Sequence, residues 1–433
     1  MNIALQRNWI SKVHPAGARG VLVLMAVLVL AVITTQAAQA QTFTTLHSFE
    51  GTDGYEPLAG LIQATNGSFY GTTQGAGATD GTVFKVTLSG TLTTLHSFDG
   101  ADGDSPQFSA LVQASDGNLY GTTNLGGAYT CLISGVNYGC GTVFKITPGG
   151  TLTTLHSFDG TDGEYPDAGL VQAIDGNLYG TTSGGGTNGD GTVFKITPSG
   201  TLTTLYSFTD GADGGVPFAG LIQAADGNFY GTAGGFGASG YGTVFKITPT
   251  GTLTTLHSFD DAEGFYVLTA LVQANDGNFY GTNYWGGANS VGTVFKITPG
   301  GTLTTLYNFC PQSGCTDGSS GVGLVQDTNG TFYGTTASGG TDNDGTVFSL
   351  SVGLGPFVET RPTSGKVGAA VKILGSNLTG ATSVTFNGTA ATFTVVSKSE
   401  ITTTVPTGAT TGTVEVTVSG HTLKSNTKFR VTP

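Results

Sequence analysis

Charge is scarce in this chain, and most of what is present has one sign. Charged residues make up 10% of the 433, and Trp and Met occur only twice each. Between residues 41 and 350 the only basic side chains are Lys85, Lys145, Lys195, Lys246 and Lys296. They stand against 25 acids, a net of −20. A body so poor in cations is not built to hold nucleic acid, whose phosphates call for Lys and Arg. Neutral ligands and cations are compatible with it, and the acids also keep a glycine-rich surface soluble. Residues 351–433 differ, with seven basic and three acidic residues, a net of +4.

Catalytic arrangements are lacking too. No Ser-His-Asp or Cys-His constellation stands out. The four cysteines form two local pairs, Cys131 with Cys140 and Cys310 with Cys315, nine and five residues apart. Neither pair has the Cys-x-x-Cys spacing of a zinc site, so both are expected to be loop-stapling disulfides.

Long apolar runs are absent after Val32. Before it, Arg7, Lys12 and Arg19 lead into the run Val21–Val32 and then Ala38-Gln39-Ala40, a small-x-small cleavage site. That is the pattern of a secretory signal over residues 1–40, and the run is short for a spanning helix. Cleavage before Gln41 would leave no membrane span. The expectation is a monomer secreted or held at the cell surface, where disulfides persist.

Glycine, by contrast, is abundant, at 72 residues, and it recurs at fixed places. The phrase Gly-Thr-Val-Phe starts at Gly81, Gly141, Gly191, Gly242, Gly292 and Gly345, at intervals of 60, 50, 51, 50 and 53 residues. This is a repeat protein. Each unit divides into four short β segments, here called a to d. In the second unit they are Ala110–Gln113, Asn118–Thr123, Gly141–Thr147 and Thr151–Phe158. Ser115-Asp116-Gly117 and Pro148-Gly149-Gly150 provide tight turns between a and b and between c and d. Four consecutive antiparallel strands describe a propeller blade.

The mature chain opens with an orphan d segment, Thr42–Phe49, and the last unit ends after c at Leu350. The fold class expected is therefore all-β. A six-bladed β-propeller over 41–352 is closed by the N-terminal strand, and a small Ig-like β-sandwich follows at 353–433. In such a meander the long b–c and d–a loops share one face, the expected working surface, and the tight turns share the other, expected to be inert.

The recurring phrases, Leu-Tyr-Gly-Thr-Thr, Gly-Thr-Val-Phe-Lys-Ile-Thr and Leu-Thr-Thr-Leu-His-Ser-Phe, make residues 42–350 resemble the GloVer tandem repeat of exported bacterial proteins. That resemblance implies surface attachment or export and no established activity. The Asp-Gly-Asn-Leu-Tyr phrase is also similar to NHL-type propellers. Residues 356–433 resemble the IPT/TIG Ig-like domain, through Pro362-Thr-Ser-Gly365, Ile373-Leu-Gly375, Asn377-Leu378, Val384-Thr-Phe-Asn-Gly388 and Val405-Pro406. In bacterial surface proteins that resemblance implies a spacer or interaction module.

Three sets of side chains are candidates for function. His47, His96, His156 and His257 share one position on d, taken by Tyr206 and Tyr307 elsewhere, which reads as packing or surface. The d–a loops offer carboxylates around glycine. Asp99, Asp102, Asp104, Asp159, Asp162 and Glu164 are the oxygen ligands a calcium ion would use there, although the spacing is not that of a dedicated calcium loop and Asp-Gly pairs form turns in their own right. No cofactor is called for. The third set is aromatic and breaks the repeat symmetry: Tyr284 and Trp285, Tyr129 and Tyr138, Phe236 and Tyr241, Phe265 and Tyr266. On the long-loop face they would form a platform for carbohydrate or a cell-surface protein.

A non-catalytic binding or scaffold protein is the first reading. A polysaccharide lyase or glycosidase and a purely structural surface component are the alternatives. Near-identical acids in every unit weigh against the enzyme, since a catalytic site breaks repeat symmetry.

Overall fold

The computed structural model describes residues 45–76, 80–106, 109–133 and 135–432, so the expected export signal and the start of the expected orphan d segment lie outside it. Each of the first five repeats folds as an antiparallel meander in the order a-b-c-d. Five four-stranded sheets form, the third from Val171–Gln172, Leu178–Thr182, Thr192–Ile196 and Leu202–Ser207. The sixth sheet has three strands, Ser319–Gln326, Phe332–Ser338 and Thr346–Leu350. No α-helix occurs among the described residues, and none of their helices is long and apolar enough to cross a membrane.

The core lies between adjacent sheets. One cluster joins Tyr70, Val83 and Phe98 of the first unit to Leu119, Phe144 and Ile146 of the second. Strand b is buried on both faces, as its Leu/Phe-Tyr-Gly-Thr-Thr composition demands in a stacked array. Its central glycine is obligatory: a Cβ on Gly121 would lie 2.7 Å from the Phe144 ring and 2.9 Å from Leu111. Removing one buried ring such as Phe144 costs about 3–5 kcal/mol.

Strand d departs from simple alternation. In all five complete sheets the c–d register skips one residue, for example between Thr154 and His156, leaving Leu155 unmatched. Such a bulge re-aims the side chains beside it. Leu155 packs against the core shared by its own and the next unit, while His156 turns toward its own d–a loop. The Leu155 carbonyl faces Gly200 in the next c–d turn, where φ is 96° and a Cβ would sit 2.8 Å from that oxygen. Only glycine fits there.

A second register device is a ladder of glutamines at the end of strand a. Gln172 Nε2 donates to Gly176 O in its own turn at 3.0 Å, and its Oε1 accepts from Ser115 N of the preceding unit at 2.9 Å. Gln113, Gln223, Gln273 and Gln326 accept from Thr65, Ile174, Ala225 and Asn275 in the same way.

The expected pairing of the N-terminal segment with the last sheet is not formed over Thr45–Phe49. That stretch is irregular, yet it sits against the first unit as a d strand would. Phe49 meets Phe84 edge-on at 5.3 Å, as Phe98 meets Phe144. The last c strand keeps an open edge. Val347 is 80% exposed, whereas its counterparts Val83, Val143, Val193, Val244 and Val294 are at most 1% exposed.

Residues 358–432 form two four-stranded sheets plus a short parallel pair, Ser364–Lys366 with Arg430–Thr432, around Val358, Ile373, Phe386, Ile401, Val416 and Phe429. The repeat array and this domain belong to one compact unit.

Candidate ligand-binding face

The long loops are zipped together by backbone pairs. Each d–a loop exchanges hydrogen bonds with the next b–c loop: Asp104 with Leu125, Glu164 with Gly184, Gly215 with Gly235 and Phe265 with Trp285. These cross-links make a continuous rigid surface from segments that sequence alone marks only as variable.

Each His meets a carboxylate six residues on, and in the complete sheets it stands beside the bulge in d. His96 Nε2 and Asp102 Oδ2 are 2.6 Å apart, and His47–Asp53, His156–Asp162 and His257–Glu263 are 2.6–2.7 Å pairs. Where Tyr replaces His, Tyr206 and Tyr307 donate to Asp213 and Asp317. Burial and that carboxylate push both phenols up to about 12. The second oxygen of Asp102 and of Asp162 accepts a backbone N–H, from Asp99 and Asp159 respectively, at 3.1 Å. Asp99 and Asp159 in turn accept from the N–H groups at the loop tip. A hydrogen bond from Thr161 is the main reason the Asp159 carboxyl lies below its ordinary range.

Asp104 and Glu164 are half-buried, and burial raises both above the usual carboxylate range. Among the described residues no group of three or more His, Cys, Asp or Glu side chains is gathered around one point. The His-x5-Asp spacing recurs in the sequence and could have revealed these pairs. Both disulfides are formed, Cys131–Cys140 in the second b–c loop and Cys310–Cys315 in a d–a loop.

Six of the eight aromatic candidates come together. Phe236 and Tyr241 bracket the fourth b–c loop through a backbone bridge. The Tyr241 ring lies 4.9 Å from Phe265, Phe265 pairs with Trp285 through the backbone, and Trp285 meets Tyr284 at 4.9 Å. Tyr266 follows Phe265 and packs at 5.4 Å on Phe218, a ring the sequence reading missed. Trp285 is 45% and Phe236 36% exposed. Three loops of two neighbouring sheets thus build one aromatic ridge.

Tyr129 and Tyr138 stand apart on the disulfide-stapled insertion. There a two-stranded hairpin, Leu132–Ile133 with Val136–Asn137, also exposes Leu132 and Val136. No ring contact joins them to the ridge among the described residues.

The tight-turn face, expected to be inert, is covered by the chain's own C-terminal domain. Arg430 donates to Ser115 Oγ at 2.6 Å and to the carbonyl of Ala173 at 3.0 Å. Asn275 Nδ2 donates to Gly355 O, and Phe357 N donates to Thr328 O. Burial lowers the Arg430 pKa from its usual value. The basic surplus of residues 351–433 made this contact conceivable, but nothing local in the sequence pointed to Arg430.

The sequence matches the family described as the Gloeobacter/Verrucomicrobia repeat over residues 31–131, 126–348 and 221–394, and the IPT/TIG domain over residues 358–431. No curated protein matches it. Among solved structures, a fungal alcohol oxidase of the AA5 family in complex with copper is similar at 15% identity and a TM-score of 0.49. The match covers 86% of this chain and 85% of that one. A putative 6-phosphogluconolactonase from Bacteroides uniformis is similar at 14% identity and a TM-score of 0.40, over 82% and 94%. Hydrazine synthase from Kuenenia stuttgartiensis is similar at 15% identity and a TM-score of 0.44, over 67% and 77%. At these values none of the three bears on what this chain does.

Proposed function

The chain belongs to the Gloeobacter/Verrucomicrobia repeat family and carries an IPT/TIG domain, and from that premise we propose that it is an exported, non-catalytic binding module. Its ligand, a carbohydrate or a protein, sits on the long-loop face. One observation carries this reading: the symmetry-breaking aromatics of three separate loops converge on a single ridge, with Phe236 and Trp285 exposed and Tyr241 and Phe265 half-buried against the core beneath. Surface rings in contact are a feature of recognition sites, since they give large contact area at little cost in conformational entropy. The regular His–carboxylate pairs support the non-catalytic half of the proposal. They recur from unit to unit and organise loops, so no one unit is set apart for chemistry.

The finer architecture belongs to the same proposal. The array is a six-bladed propeller, and the Thr42–Phe49 segment adds the fourth strand to the last blade. The seat of Phe49 on Phe84 and the bare Val347 edge support this closure. An unpaired strand edge is a liability that a ring removes.

A glycan array and a panel of immobilised surface proteins, each probed with the wild-type chain and with Y284A/W285A, test the function. Signals that depend on the two rings are expected. Binding that ignores them, or no binding on either panel, would sink the proposal.

A further inference from the structure

We infer that the ridge between the fourth and fifth sheets docks a lysine- and arginine-rich polypeptide segment, an inference that rests on the binding-module reading and names its ligand class. It follows from where charge falls. Of the 25 acids in residues 41–350, five stand in the a–b turns (Asp116, Asp175, Asp226, Asp276, Asp327), and the other twenty lie in the d–a and b–c loops. The five lysines each hold the fourth place of strand c, beside the c–d turn, and Lys145 and Lys246 act on Asp116 and Asp226 in the a–b turns. The long-loop side of residues 41–350 therefore has no Lys or Arg, and the basic C-terminal domain covers the opposite side. A face of one sign attracts and orients a ligand of the other.

Carboxylates also border the ridge itself. At one end a Cβ on Gly215 would lie 2.7 Å from the Phe236 ring and 3.1 Å from Asp190 Cβ, so ring and acid are neighbours. Burial, then the nearby Asp210 and Asp213, hold the Asp190 carboxyl above its usual range, a sign of crowded negative charge. At the other end Gly287 N donates to Asp261 O at 2.7 Å, which places exposed Asp260 and Asp261 beside the Tyr284-Trp285 loop.

Ring geometry narrows the ligand further. Adjacent rings are inclined at 46° (Tyr241–Phe265) and 77° (Tyr284–Trp285), so they offer no shared plane for a row of sugar faces. A cation needs only one ring face within about 6 Å. Ammonium and guanidinium groups of Lys and Arg stay charged wherever these carboxylates are ionised. Side chains of that kind satisfy both the tilted rings and the acids at the two ends of the ridge.

The full chain carrying Trp9→Phe leaves Trp285 as its single tryptophan, so tryptophan emission reports the ridge directly. A peptide of alternating Lys and Gly is titrated at about 0.15 M ionic strength, where screening acts beyond about 8 Å. A saturable change is expected, and none with the Glu-Gly counterpart. D190N/D261N and, separately, F236A should each weaken binding about ten-fold, the scale of a desolvated cation–π or ion contact. Y129A/Y138A should leave it unchanged. No saturable change with the basic peptide, or equal affinity in D190N/D261N, overturns the inference. A response to neutral or amino-sugar oligosaccharides alone overturns it while sparing the binding-module reading, whereas silence toward every probe together with blank arrays sinks both.

Discussion

Phe265 and Trp285 hold each other through the backbone: Phe265 N donates to Trp285 O at 2.9 Å, and Trp285 N returns a bond to Phe265 O at 3.2 Å. The pair fastens a d–a loop to the next b–c loop without using either side chain. The indole is thereby left on the surface, 45% exposed, on a scaffold that does not depend on it.

Replacing Trp285 by Ala should therefore separate binding from folding. Ligand affinity should fall about ten-fold or more, as for other exposed aromatic anchors. The thermal midpoint should move by only a few degrees, since surface changes are usually within about 0.5 kcal/mol. Calorimetry beside a binding assay checks both, and a collapse in stability would show that the ring is structural.

Gln172 joins two units through one side-chain amide, which donates to Gly176 O and accepts from Ser115 N. Gln172→Ala should cost about 1–2 kcal/mol, two partly exposed hydrogen bonds at typical net values. Urea denaturation gives the number. In an array whose units contact mainly their neighbours, a broader transition is the expected companion.

Ring closure is open to a direct test. In the intact sheets Thr192 pairs with Ser207 across strands c and d, and under the proposed closure the same register would set Thr346 opposite Ser48. The double variant S48C/T346C should form an intramolecular disulfide in the monomer, seen by mass spectrometry without reductant. A mixture containing only intermolecular cross-links would refute closure within one chain.

Arg430 is the clasp of the C-terminal domain on the tight-turn face. Arg430→Ala should leave the domain folded, because its core lies around Phe386 and Phe429. It should raise the radius of gyration in small-angle scattering and speed amide exchange near Ala173 and Gly176. An unchanged scattering curve would mean that other contacts hold the domain.

Asp116 and Asp226 predict a specific acid response. Burial opposes ionisation of each, but hydrogen bonds from Asn118 and Tyr120, and from Asn228 and Tyr230, hold both carboxyls below their ordinary range. A lowered folded pKa means that the unfolded chain binds protons more readily. The stability they contribute is present above the unfolded value of about 3.9 and is lost as pH falls through the folded value. D116N/D226N should flatten the stability profile below about pH 4, leaving its shape near neutrality unaltered. Denaturation midpoints across a pH series measure this.

Much of the architecture was legible in the chain. Period, turn chemistry and alternation located a four-stranded unit because each is a local property: Pro-Gly-Gly turns, a mid-strand Gly121 and paired cysteines depend on residues close in sequence. The glutamine ladder was missed because its partners are 48–57 residues apart, although the glutamine recurs at one place in every unit. The bulge at Leu155 was missed because both of its neighbours fit an alternating strand.

By itself, then, the sequence determined a repeated all-β array with an Ig-like tail, an acidic loop side and a list of aromatics that break the repeat. Tertiary structure decided which of those aromatics meet. Phe236, Tyr241, Phe265, Tyr266, Tyr284 and Trp285 converge because neighbouring loops pair through their backbones, while Tyr129 and Tyr138 ride on a separate stapled hairpin. It also decided that the tight-turn side is occupied, through Arg430, 315 residues from Ser115. The physical reason is the same in both cases. Hydrogen bonds between loops and between domains depend on how sheets stack, and stacking is set by side chains packed across the interface rather than by any phrase in the chain.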